Sequence, residues 1–150
     1  MSISVSDPII WVHEDALRGN HPVNIAAGQE ALSYFIWDDE YFKSQAYSLK
    51  RLVFIYECLI EMDVKIIRGD MLEVLQAFNA SIIYVADTNN THLSAIIMRL
   101  KEMRSVHVIA DEIFSLVEPN ADMGRFFRFW NSGRKSMLQP NAGLNSLKKR

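Results

Sequence analysis

Nine residues able to bind or react stand at the ends of apolar runs that read as strands or directly after them. They are His13, Glu14 and Asp15 after the first run, Trp37 and Asp38 after the second, Arg68 after the third, and Asp87, Thr88 and Asn89 after the fourth. An imidazole, carboxylates, a hydroxyl, an amide and an indole can hydrogen-bond and stack a planar ligand. They do not supply a nucleophile paired with a base. His13, Asp15, Trp37, Asp38, Asp87, Thr88 and Asn89 are therefore the candidate contacts for a cofactor or pigment, and no catalytic residue is assigned. Four of them also have a plainer role. His13 can bond to backbone at a strand end, Asp15 and Asp38 can cap loops and helices, and Trp37 can fill core.

The better-known phosphate and metal devices are missing from the sequence. No Gly-x-Gly-x-x-Gly follows the first strand, and no Gly-x-x-x-x-Gly-Lys-Ser/Thr occurs, so the usual backbone cradles for pyrophosphate are lacking. His-Glu-x-x-His and Cys-x-x-Cys are absent, which argues against a zinc site. The Gly-x-Ser-x-Gly elbow of an α/β hydrolase is absent too. Glu14, Asp15 and Asp70 are the acidic types a phosphoreceiver uses, but Asp70 follows Gly69 and reads as a helix cap.

The elements that must position these residues alternate along the chain. Strands are expected at 9–12, 31–37, 64–67, 81–86 and 106–110. A short helix is expected over 23–27, and longer ones over 46–62, 70–78 and 91–103. Leu49, Leu52, Val53, Tyr56, Leu59 and Ile60 repeat at spacings of three and four, predicting one buried face on the second helix. Cys58 on that helix reads as a small buried hydrophobe. Five short strands separated by helices predict an α/β fold, a Rossmann-like five-stranded parallel sheet of order 3-2-1-4-5 with helices on both faces. In such a sheet, ligands bind beyond the carboxyl ends of the strands, where the strand order reverses.

Length and charge fit that reading. The 150 residues suit one domain, with 49% hydrophobic and 23% charged residues. No apolar run approaches the roughly 20 residues of a membrane helix, and MSISVSDPII does not read as a signal peptide. A single cysteine excludes a disulfide framework and, with those features, points to the cytoplasm. Residues 1–122 carry a charge balance of −9 and residues 123–150 one of +7. The expected organisation is thus an α/β body over 1–122, an aromatic-basic strip over 123–138 and a mobile tail over 139–150. Arg125, Phe126, Phe127, Arg128, Phe129 and Trp130 are the candidate partner-binding residues, because aromatics and arginines anchor interfaces. The strip can equally fold back onto the acidic body. Direct nucleic-acid binding through the +7 segment ranks behind both, so nucleic acid enters only indirectly.

Taken in order, several segments resemble the DNA photolyase and cryptochrome family. Ile9-Ile10-Trp11-Val12-His13-Glu14-Asp15 with Pro22 is similar to the family's opening strand and its Arg-x-Asp-Leu-Arg-x-x-Asp-Asn-Pro. Tyr34 to Glu40 resembles Val-Phe-Ile-Trp-Asp-Pro-Glu, and Ser48-Leu49-Lys50-Arg51-Leu52 resembles Ser-Leu-Arg-Phe-Leu. Arg68 to Leu75 resembles Arg-Gly-Asp-Pro-x-x-Val-Leu, and Phe126 to Trp130 is similar to Phe-Thr-Pro-Phe-Trp. The likeness runs from about residue 8 to 138. It departs at His13, Ala16-Leu17 and Asn20-His21, and the Asp87-Thr88-Asn89-Asn90 loop lacks the family's Tyr-Glu pair.

The resemblance implies the amino-terminal α/β domain that holds or borders an antenna pigment: a folate, a deazaflavin or a flavin. The helical domain that carries catalytic FAD in the family is not in these residues. The expectation is an accessory or split-partner module for a separate helical FAD-binding protein in blue-light or DNA-repair chemistry, not an enzyme on its own. The alternative is a stand-alone pigment- or nucleotide-binding protein, homodimeric through the 123–138 strip.

Overall fold

The computed structural model describes residues 7–112 and 130–131. The chain divides into two compact units, Met1–Asp111 and Glu112–Arg150. In the second, Trp130 and Asn131 are helical; the other strip candidates (Arg125, Phe126, Phe127, Arg128 and Phe129) and the tail lie outside the described residues.

The first unit is an α/β fold. Its strands are β1 (Ile9–Val12), β2 (Leu32–Trp37), β3 (Lys65–Arg68), β4 (Ile83–Ala86) and β5 (Val106–Ile109). All pair in parallel in the order 3-2-1-4-5, as the sequence pattern predicts. β1 is central, with Ile9 in register with Leu32 on one side and Ile83 on the other. All four of its residues are buried, which is why it reads as an unbroken apolar run.

Helices α1 (Pro22–Ala27), α2 (Asp39–Ser44), α3 (Leu49–Glu61), α4 (Met71–Ala77) and α5 (Thr91–Lys101) flank the sheet. Each starts on a side-chain cap that accepts from a backbone N–H left free at the first turn. His21 Nδ1 accepts from Val23 N at 3.1 Å, with Pro22 at the first helical position. Ser48 accepts from Arg51 N, Asp70 from Glu73 N at 2.9 Å, and Asn90 from His92 N and Leu93 N. The six-residue α2 is not expected from the sequence. One and a half turns carry too little apolar period to register, and its signal is the cap Asp38 followed by Asp39 and Glu40.

α3 corrects the sequence reading. It buries Ile55 and Leu59, with Leu52, Cys58 and Met62 half-buried, and leaves Leu49, Val53, Tyr56 and Ile60 exposed. Beside the buried stripe runs an exposed one, of which Tyr56 still touches Trp37 on β2, and Phe54 is exposed outside both. On α5, Leu93, Ile97 and Leu100 face inward as expected. Among the described residues, no helix is long and apolar enough to cross a membrane.

Candidate functional site

The strand order reverses between β1 and β4, so the crevice beyond their carboxyl ends is the natural ligand position. The chain brings His13, Asp15, Asp87, Thr88 and Asn89 to that crevice. His13 is buried and committed to backbone. Its Nε2 lies 2.9 Å from the Ala86 carbonyl oxygen, and its Nδ1 accepts from Asp15 N at 3.3 Å. This pairing places the ring proton on Nε2. Nε2 ties the end of β1 to β4 and Nδ1 holds the following turn at Asp15, so the ring positions the loop. Thr88 Oγ1 donates to Asp15 Oδ2 and accepts from Asn90 N at 3.0 Å. Asp87 accepts from Thr88 N at 2.9 Å, and Asn89 is exposed.

Trp37 and Asp38 lie apart from this group, at the end of β2. Trp37 packs edge-on to Phe42 and Tyr56, with ring centroids 5.0 and 6.3 Å away. The buried Asp38 carboxylate serves two helices. Oδ1 accepts from Tyr41 N at 3.0 Å, and Oδ2 accepts from Met71 N at 2.9 Å. Beside it, Arg68 ion-pairs with Asp39 at 2.6 Å. The hollow at this end is lined by Trp37, Arg68 and four carboxylates, from Asp38, Asp39, Glu40 and Asp70. That charge disfavours a phosphate there.

The group with the clearest unfilled capacity was not among the contacts predicted from sequence. Glu14, first residue but one after β1, is only 8% exposed. Its Oε1 accepts from Tyr41 OH at 2.5 Å and from Tyr47 OH at 3.1 Å. Asn90 Nδ2 donates to Tyr41 OH at 3.0 Å and closes the network. Glu14 Oε2 is buried and has no hydrogen-bond partner among the described residues. Four elements assemble the cluster: the end of β1, helix α2, the loop 45–48 and the cap of α5. Ala46, at φ 52°, turns that loop so that Tyr47 N reaches the Phe42 carbonyl and its ring faces Glu14. Arg51 lies over the Tyr47 ring, 4.3 Å from its centroid.

A buried acceptor without a donor is costly. An N–H or O–H donor, from a water or a ligand, would satisfy it. Sequence reasoning had one usable signal, the position of Glu14 between His13 and Asp15. Nothing in it links residue 14 to residues 41, 47 and 90. Among the described residues, no cluster of three or more His, Cys, Asp or Glu side chains is placed to hold a metal ion.

Both phenols are pushed up from their ordinary value, Tyr41 far more than Tyr47. Burial is the main cause in each, followed by the Glu14 carboxylate. The fold thus retains tyrosine protons that the unfolded chain releases above about pH 10. Stability conferred by the pair is complete below that pH and is lost as pH rises. Thermal melts between about pH 8 and about pH 11 should show this fall, and Tyr41→Phe should flatten it.

No family model matches the chain, and neither a curated protein nor a solved structure does.

Proposed function

We propose that this chain is an accessory α/β module of the photolyase and cryptochrome type. It holds a planar pigment bearing an N–H group and works beside a separate helical FAD-binding protein. The observation that carries the ligand half of this reading is Glu14 Oε2, a buried carboxylate oxygen without a donor at the point where the strand order reverses. An N–H on a folate, deazaflavin or flavin ring is the donor it lacks. Tyr47, half-buried on the short 45–48 loop, donates to the same carboxylate and is the side chain that would turn aside to admit a ligand. Asp15, bonded to Thr88, and the exposed Asn89 stand at the same strand ends. With His13 spent on backbone, the cluster favours holding a ligand over transforming one.

The second reading is a stand-alone pigment- or nucleotide-binding protein. It is favoured by the origin of Glu14, Tyr41, Tyr47 and Asn90, which all belong to the unit Met1–Asp111. One experiment addresses both. The tagged chain is recovered gently from its own host, and its near-ultraviolet and blue absorption is recorded. A chromophore accompanied by a larger polypeptide supports the accessory module. A chromophore without a second chain supports the alternative.

Glu14→Gln retains the shape but exchanges an acceptor for a donor at one position. It should release the chromophore while leaving the circular dichroism spectrum unchanged. Full retention in Glu14→Gln would mean that the ligand lies elsewhere and that a water completes Oε2.

A further inference from the structure

The exposed stripe of α3 has a regular form. Leu49, Val53, Tyr56 and Ile60 follow one another at spacings of four, three and four, the rhythm of a helix–helix seam. Leu49 is 77% and Ile60 62% exposed. Beside the stripe runs an apolar groove of about 370 Å³, walled by Leu49, Leu52, Val53 and Tyr56 on α3 and by Trp37 and Ile66. Contiguous apolar surface of this kind marks an interaction site.

We propose that α3 is the twofold interface of a homodimer, with the two α3 helices antiparallel. The flanking charges select this occupant and this direction. Lys50 and Glu57 are exposed on the same side of the stripe, seven residues apart, and neither forms an ion pair among the described residues. An antiparallel twin sets Lys50 of each copy against Glu57 of the other, twice by symmetry. A parallel twin leaves all four charges without partners.

In the antiparallel seam, Leu49 meets Ile60 and Val53 meets Tyr56 of the second copy. The edge strand β3 is not the joining element, because Lys65 and Arg68 guard it against strand addition. A seam about 20 Å long is shorter than the patch of a standard interface, near 800 Å² per partner. The dimer should therefore dissociate on dilution.

Sedimentation velocity of the full chain over a concentration series tests the proposal. The expected result is a reversible monomer–dimer equilibrium that Val53→Glu, and independently Ile60→Glu, abolishes with the fold intact by circular dichroism. Lys50→Glu and Glu57→Lys should each weaken the dimer by roughly tenfold. An equimolar mixture of these two variants should restore it as a heterodimer. A chain that stays monomeric at the highest attainable concentration overturns the proposal. So does a dimer that survives Val53→Glu and Ile60→Glu, or one indifferent to the charge exchange.

Discussion

Asp38→Ala should lower the unfolding free energy by about 2–4 kcal/mol. The side chain caps α2 through Tyr41 N and also receives the first amide of α4, Met71 N. Loss of an N-cap costs about 1 kcal/mol, and a second buried amide left without its acceptor adds roughly 1–3 kcal/mol. For a unit of this size the melting temperature should fall by roughly 10 °C. Asp38→Asn retains one acceptor oxygen and turns an amide group toward the other donor, so it should recover only part of the loss. Urea unfolding of the three proteins gives the comparison. If Asp38→Ala melted like the parent, the double cap would not be what holds α2 and α4 to the end of β2.

Trp11→Ala should cost more, about 3–5 kcal/mol. Trp11 is the largest of the fully buried side chains and sits on the central strand, 1% exposed. Its removal leaves a cavity that the sheet can fill only by bending β1, which is hydrogen-bonded on both sides. Against a total stability of about 5–15 kcal/mol, that loss removes a large share of the margin and should lower the melting temperature by more than Asp38→Ala does. It should also loosen His13, Glu14 and Asp15, which continue directly from the strand. Ile25→Ala, at an 84% exposed position on α1, is the control and should change stability by no more than about 0.5 kcal/mol. Equal melts for the two variants would contradict the packing described for β1.

The sheet was legible because its signals are local. Unbroken apolar runs at Ile9–Val12 and Ile83–Ala86 mark buried parallel strands, and the caps Asp70 and Asn90 stand where helix starts are expected, while Ser48 starts its helix at Leu49, three residues later than the expected 46. The sequence period on α3 was read as a single buried face because periodicity reports apolar residues, not what covers them. Ile55 is buried in the core, whereas Val53 and Tyr56 are nearly half exposed.

The site was legible only in outline. His13, Asp15 and Thr88 do come together, but Trp37 and Asp38 are engaged in packing and capping at the end of β2. Glu14 became conspicuous only when two tyrosines from one stretch and an asparagine from another converged on it. Such convergence is a property of the tertiary fold and leaves no periodic trace in the chain.

The bond from His13 to the Ala86 carbonyl spans 73 residues. It sets a waiting time during synthesis. The centre of the sheet leaves the ribosome before β4, the neighbour that must cover its second edge. At about 5–20 residues per second, β1 waits roughly 4–15 s for that partner. Throughout this interval the apolar Ile9–Val12 segment presents an open edge to any other nascent strand. Yield of the native protein should therefore depend on translation speed and on chaperones that shield β1, more than on the stability of the finished fold.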